Sequence, residues 1–380
     1  MLLYNRTLLA TIQEKMGKGK AIILLGPRQV GKTTLIKTLL KKTTYLFLDA
    51  DDPTVQTLLS NPNTAQLNNI IGNHSVVFID EAQRLHNIGI TLKLITDQFK
   101  EVQLLVSGSS AFELVNQTNE PLTGRKWQYN LYPLSWEEIE QTLGFVKAHQ
   151  QLQLRLVFGS YPDVLNYSND AQEILQNLVN SYLYKDILAF SGIRKPEILE
   201  KLLQALAFQI GNEVSYNELA QTVGVDKNTI NNYITLLEQG FVIFKLKSFS
   251  RNLRNEIKYN QKIYFYDVGV RNAIIGNFST HNLRQDIGQL WENFLISERL
   301  KQNMYYKINS KGYFWRTVHQ QEIDYVEEGN GIITGYEIKW NAKSKVKKHK
   351  SFMEKYNAEI HTINQDNFRD FIVFKGKKNN

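Results

Sequence analysis

Cysteine is absent from the chain, which excludes disulfides, zinc fingers and thiol nucleophiles and makes a reducing cytoplasm the expected setting. The seven histidines show no paired metal spacing, and no Gly-x-Ser-x-Gly elbow occurs. No apolar run approaches the ~18–20 residues that span a bilayer. The start, Met1-Leu2-Leu3-Tyr4-Asn5-Arg6, lacks the apolar core of a signal peptide. A cytosolic protein without a membrane partner is therefore expected. Repeats and low-complexity segments are missing too, apart from the closing Lys377-Lys378-Asn379-Asn380. What is left is a globular chain of 380 residues, 42% hydrophobic, long enough for two or three domains.

Acid is in deficit, and unevenly so. The net charge is +8, with six basic residues against one acid at 241–262 and ten against four at 341–380. The rest of the chain is slightly acidic. Two C-terminal basic patches suit a polyanion such as double-stranded DNA. Solvated lysines that contact nothing are the alternative, above all for the run at 343–350.

One octapeptide dominates what is present. Gly26-Pro27-Arg28-Gln29-Val30-Gly31-Lys32-Thr33 follows the apolar run Ala21-Ile22-Ile23-Leu24-Leu25 and fits G-x-x-x-x-G-K-[ST] at every fixed position. The glycines let backbone N–H groups turn inward around phosphates, Lys32 reaches the terminal phosphates, and Thr33 places a hydroxyl on Mg²⁺. The helix expected to start there adds its positive end, and Thr34 is counted with the loop. ATP and Mg²⁺ are the ligands this predicts. Residues 76–83, Val-Val-Phe-Ile-Asp-Glu-Ala-Gln, read as a buried strand ending in two acids. Asp80 is placed to hold Mg²⁺ and Glu81 to act as base for an attacking water.

The first part alternates strands (21–25, 45–49, 76–80, 102–106) with helices (about 32–41 and 90–99), which predicts a helix-wound parallel sheet. Ser107-Gly108-Ser109-Ser110 follows the fourth strand, and Ser109 is the nucleotide-contacting candidate; a plain loop is the alternative. Leu122-Thr123-Gly124-Arg125 precedes an apparent outer strand at 126–132. Arg125 is a candidate transition-state arginine, in its own subunit or a neighbour's, or else an ordinary surface salt bridge. Helical spacing covers about 136–210, including Leu183, Ile187 and Leu188, interrupted by the turn Gly159-Ser160-Tyr161-Pro162-Asp163.

Residues 213–268 predict two short helices and a two-stranded wing. Ser215 caps the first helix, Gly224 makes the turn, Asp226 caps the second, and strands 241–246 and 262–266 follow. That is a winged helix-turn-helix pattern, a module that serves DNA or protein partners. Lys227, Asn228, Asn231 and Asn232 are its candidate DNA-facing residues. Further on, an amphipathic helix at 290–298 precedes strands, among them Glu322-Ile323-Asp324-Tyr325-Val326 and one holding Glu337-Ile338-Lys339. Two carboxylates for Mg²⁺ and a lysine beside an attacking hydroxide form a nuclease pattern. It requires Asp324 to share a face with Glu337 and Lys339, which a four-residue loop at 327–330 satisfies and a five-residue loop does not.

Taken together, GPRQVGKTTL at 26–35, VVFIDEAQ at 76–83, SGSSAF at 107–112, LTGR at 122–125, LYPLSWEE at 131–138, GSYPDVL at 159–165, LWENFLISE, WRT, EIDYV and EIKW resemble one family over about residues 4–340. It comprises prokaryotic AAA-type ATPases whose C-terminal domain of unknown function has a winged helix and a restriction-endonuclease-like, PD-(D/E)XK, core. The resemblance implies an α/β fold in four segments: a P-loop ATPase core at 1–140, a helical subdomain at 141–210, a winged helix at 211–280 and a nuclease-like domain at 281–380. It implies ATP hydrolysis with Mg²⁺, Ser107 to Ser110 as a sensor region, and Asp324, Glu337 and Lys339 as a nuclease-type signature with Glu292 or Glu298 as auxiliary acid. The acid lies in Glu-Ile-Asp without the family's usual preceding proline, and the basic tail after Trp340 inherits no role. An ATPase acting with DNA is the leading expectation. A signalling or scaffold switch with a protein partner or a second copy of itself is the alternative, and a defence nuclease gated by ATP the third.

Overall fold

The computed structural model describes residues 2–109, 118, 121–181, 196–250, 261–317, 319–344 and 349–376. Ser110, Leu183, Ile187, Leu188, Arg251, Arg254, Lys258 and most of the lysine run at 343–350 therefore lie outside the described residues. The chain forms two units, one of Asn5–Pro133 with Gln239–Phe241, the other of Met1–Tyr4, Leu134–Glu238 and Val242–Asn380.

In the first unit, β1 (Ala21–Leu25) and β3 (Val76–Asp80) are buried at all five positions. Continuous apolar runs of this kind suit strands covered on both faces. They join β2 (Leu46–Asp49), β4 (Gln103–Gly108) and β5 (Lys126–Asn130) in an all-parallel sheet of order β2-β3-β4-β1-β5. β4 thus lies between β1 and β3, so three carboxyl ends meet at one edge. The strand expected at 102–106 runs on to Gly108, because Ser107 and Gly108 pair with Leu24 and Leu25. The outer strand ends at Asn130 rather than 132.

The second unit holds a seven-stranded sheet of order β12-β11-β10-β9-β7-β8-β6. Its strands are β6 (Glu213–Val214), β7 (Ile243–Ser248), β8 (Gln261–Phe265), β9 (Lys311–Arg316), β10 (Glu322–Gly329), β11 (Ile332–Ile338) and β12 (Glu359–Ile363). The helices Tyr216–Val223 and Lys227–Gln239 and the antiparallel pair β7/β8 form where the sequence places them. β7 also pairs in parallel with β9 at Lys247↔Tyr313 and Ser248↔Phe314. The segments expected to be separate at 211–280 and 281–380 therefore share one sheet. β10 and β11 are joined by a tight turn in which Asn330 and Gly331 both have positive φ, 53° and 80°. The four-residue loop expected at 327–330 is thus a two-residue turn, with Glu327, Glu328 and Gly329 inside β10. Its even count keeps the parity the sequence required.

Two side chains tie the second unit's elements together. The Asn293 carboxamide, from the 19-residue helix Ile287–Tyr305, accepts from Phe265 N–H and donates to Phe265 C=O, both at 2.8 Å, and so acts as a strand partner for β8. Asp267 caps the helix Val268–Ile274 through Gly269 and Val270 N–H and reaches across to Ser160 N–H at 2.7 Å. Ser160 lies in the turn between the helices Leu152–Phe158 and Pro162–Asn166. A Cβ on Gly159 (φ 67°) would lie 1.9 Å from the Asp267 carboxylate. Gly159→Ala should therefore lower the unfolding free energy by about 2–4 kcal/mol, from overpacking plus the left-handed φ. Denaturant titration of the variant measures it.

Candidate active site

The chain leaving β1 must turn sharply to begin the helix Lys32–Leu39, and its backbone shows how. Gln29 and Gly31 take left-handed φ values of 61° and 91°. At Gly26 a Cβ would meet the Leu131 carbonyl oxygen at 2.0 Å, so only glycine fits. Lys32, 5% exposed, folds back over the loop and donates to Gly26 and Pro27 C=O, each at 3.0 Å. Burial pushes its ammonium down to about 8, against the pull of Glu81 and Asp80. Arg6 lies outside every sequence motif, yet its guanidinium donates to Val30 C=O at 2.8 Å and Tyr132 C=O at 2.6 Å, bracing the loop.

Asp80 is the hub of the constellation. Thr33 Oγ1 donates to its Oδ2 at 2.7 Å, while the Ser107 hydroxyl and the Glu81 N–H, at 3.1 Å, donate to Oδ1. The structure thus brings Lys32, Thr33, Asp80, Glu81 and the end of β4 together. A hydroxyl and a carboxylate oxygen 2.7 Å apart are hard oxygen donors that fit Mg²⁺. The loop from Pro27 through Arg28, Gln29 and Val30 to Thr34 presents backbone N–H groups, from every residue but Pro27, and a helix N-terminus of the kind that suits phosphates. Glu81 has a φ of 50°, a left-handed conformation that costs a non-glycine residue about 1–3 kcal/mol. Gln83, which the sequence did not single out, holds it: Nε2 donates to Glu81 Oε2 at 2.5 Å and to Ser109 Oγ at 2.9 Å, and Oε1 accepts from Ser109 N–H at 3.1 Å.

Arg125 is placed elsewhere. It pairs with Asp97 at 2.6 Å and its carbonyl accepts from Ala21 N–H, at the amino end of β1. The phosphate loop follows the carboxyl end of the same strand, about 16 Å away at ~3.3 Å per residue. Within its own chain Arg125 cannot reach that loop.

The second unit gathers the other candidate residues. The register Tyr325↔Tyr336 sets Asp324 opposite Glu337. A bulge in β10, where Asp324 and Tyr325 together face Phe314 between the pairs Ile323↔Trp315 and Val326↔Tyr313, re-aims Asp324. Lys339 Nζ bridges Asp324 Oδ2 at 3.1 Å and Glu337 Oε2 at 2.8 Å, and Ile338 N–H donates to Asp324 Oδ2 at 2.7 Å. Glu337 Oε1 is buried and accepts no hydrogen bond among the described residues, with His349 Nε2 at 3.4 Å. Two such carboxylates suit a hard cation, but no group of three Asp, Glu or His side chains capable of holding a metal occurs among the described residues. Of the two auxiliary acids, Glu292 is the one beside this cluster: it accepts from Lys262 at 3.1 Å and Tyr264 OH at 2.5 Å. Burial pushes its carboxyl up to about 7, with Lys262 opposing and Asp324 adding to the rise. Glu298 instead pairs with Lys301 at 2.7 Å and accepts from Trp136 N–H at 2.6 Å. Lys262, counted from the sequence with the basic patch, is 1% exposed between Glu292 and Glu322. β8 reads Gln-Lys-Ile-Tyr-Phe, and in such a run a buried lysine and an exposed one read alike.

Burial and then Asp324 raise the Glu337 carboxyl above its ordinary 4.5, and Lys339 opposes both. A carboxyl whose folded value is raised costs stability as pH climbs past the unfolded value. Lys339→Met removes the opposing cation, so its Tm deficit should grow from little at pH 5 to about 2–6 °C at pH 7.5. Thermal denaturation at the two pH values tests the sign.

Residues 18–140 match a family model described as an AAA domain, and residues 149–281 and 287–379 match two models each described as a domain of unknown function. An uncharacterized protein of Mycobacterium tuberculosis is 28% identical over 344 residues, 89% of this chain and 74% of that protein. One from Methanocaldococcus jannaschii is 22% identical over 400 residues, 95% and 86% of the two chains. Among solved structures, the Walker-type ATPase of Pyrococcus abyssi covers 72% of this chain and 96% of its own, at 14% identity and a TM-score of 0.51, a likeness of fold. No helix among the described residues is long and apolar enough to cross a membrane. The chain thus has a mixed α/β fold with a helix-wound parallel sheet similar to that of a Walker-type ATPase, and its residues 18–140 are similar to an AAA domain.

Proposed function

We propose that the chain is a Mg²⁺-dependent ATPase whose nucleotide state acts on DNA through its second unit. The observation that carries the hydrolytic part is the 2.7 Å contact of Thr33 Oγ1 with Asp80 Oδ2, which joins the end of the phosphate loop to the acid of β3. Lys32 binds the terminal phosphates in place of the Gly26 and Pro27 carbonyls. Thr33 and Asp80 would hold Mg²⁺, which supplies charge neutralisation on the phosphates when bound. Glu81 takes a proton from water as its oxygen bonds to the γ-phosphorus, and the bond from phosphorus to the ADP oxygen breaks. Ser109 contacts the γ-phosphate region. Arg125, a strand's length from its own loop, would act only on a neighbouring copy, so turnover is slow until copies associate.

Several features support the DNA part. Lys227, Asn228, Asn231 and Asn232 are all exposed on the helix Lys227–Gln239, as a winged helix facing DNA needs. Asp324, Glu337 and Lys339 converge with Glu292 nearby, as a PD-(D/E)XK site cutting phosphodiesters needs. A different observation favours the second reading, a protein-directed switch with a vestigial nuclease site. Lys262, Lys245, Arg369 and Lys375 are all paired with acids of their own chain, which leaves less free charge for phosphates than composition suggests.

Phosphate release is the test, on wild type and Lys32→Ala, with Mg²⁺, with and without double-stranded DNA at two salt concentrations. DNA stimulation that vanishes in the variant and weakens with salt is expected. Turnover indifferent to DNA, with no binding at low salt, would overturn the DNA part and leave the switch. For the nuclease-like site, Asp324→Ala should abolish any Mg²⁺-dependent cleavage while ATP turnover persists. A cleavage assay run in parallel with phosphate release decides it.

A further inference from the structure

The left-handed backbone of Glu81 and the three hydrogen bonds of Gln83 have one explanation in common. Gln83 is 4% exposed and Ser109 is 1% exposed, so their contacts are not exchangeable with solvent. The Gln83 carboxamide is used at both ends. Its oxygen accepts from the Ser109 N–H, and that fixes which way the amide faces. Its nitrogen then must point to Glu81 Oε2 and Ser109 Oγ. The short 3₁₀ turn Ala82–Arg84 following Glu81 brings Gln83 back toward the acid two residues before it.

β4 and the residue that follows it therefore reach both acids at the end of β3. Ser107 bonds Asp80 directly, and Ser109, the residue after β4 ends at Gly108, reaches Glu81 through Gln83. We propose that Gln83 is a positioning residue that sets the aim of the Glu81 carboxylate and couples it to Ser109. Ser109 Oγ accepts from Gln83 and has its own proton to donate. A γ-phosphate oxygen accepting a hydrogen bond from that hydroxyl draws on the same group that anchors Gln83, so the state of the phosphate is felt at the base. Among the described residues no direct bond joins Ser109 to Glu81, so this link runs through the one carboxamide.

The inference rests on Glu81 acting as the base in ATP hydrolysis, and the experiment separates the two. kcat for phosphate release and Kd for mant-ATP, both with Mg²⁺, are measured for wild type, Gln83→Met, Gln83→Glu, Ser109→Ala, Glu81→Gln and the Glu81→Gln/Gln83→Met double variant. Gln83→Met keeps the length and buried volume and removes all three bonds. It should lower kcat roughly 10- to 100-fold, the scale of a displaced catalytic group, and leave Kd within about twofold. Gln83→Glu keeps the shape and the acceptor for Ser109 N–H but turns a carboxylate on Glu81, and should fall at least as far. Ser109→Ala loses one of the three bonds and should fall less. In the Glu81→Gln background, Gln83→Met should cost nothing further, because its effect runs through Glu81.

A Gln83→Met enzyme with wild-type kcat, a Kd that weakens in proportion to kcat, or losses that add in the double variant would each overturn the role of Gln83 while leaving Glu81 as base. Full turnover in Glu81→Gln would instead remove the base itself, and the inference with it.

Discussion

The buried carboxylate of Asp80 is the contact on which the first unit's chemistry depends. It ends β3, accepts from Thr33 at the start of the helix that follows β1, and accepts from Ser107 on β4. Three chain segments separated by dozens of residues are tied at one side chain. A buried anion is tolerated only when its lone pairs are satisfied, and here the satisfying donors are the groups a phosphate loop needs fixed. β4 pairs with both β1 and β3, which sets Ser107 beside Asp80.

The second unit solves a different problem. Among the described residues, its sheet crosses the boundary between two matched segments through two residue pairs, Lys247↔Tyr313 and Ser248↔Phe314. Lys262 on β8 reinforces the join by meeting Glu292 on the long helix and Glu322 on β10. Burying a lysine between two acids is costly in isolation and sound only as a paired set. The acids hold its ammonium charged, well above the ordinary lysine range, against the opposing effect of burial. The cluster around Asp324 is thus built from parts of both segments, and charge counted as surface patch is consumed inside the fold.

Much of this was legible in the residues. Strand-loop-helix order around Gly26 to Thr33, the acids closing β3 and the parity linking Asp324 to Glu337 all follow from local periodicity and turn chemistry. Even the wrong loop length at 327–330 preserved parity, because side-chain alternation constrains it more strongly than the turn does. Less was legible where distant segments meet. Arg125 could not be placed from its motif, because distance to the phosphate loop depends on which end of β5 lies beside which end of β1. Glu292 and Glu298 were indistinguishable, being six residues apart on one buried helix, until their partners were visible.

The sequence by itself determined the elements, the phosphate loop and the chemical character of the acids, since those depend on neighbours within a few residues. Tertiary structure alone decided that Gln83 grips Glu81, that Arg6 braces the loop, that Lys262 is an interior charge and that β7 and β9 fuse two segments into one sheet. Each of those is a contact between residues far apart in the chain or folded back by a strained backbone, and no local pattern encodes which side chains such contacts will join.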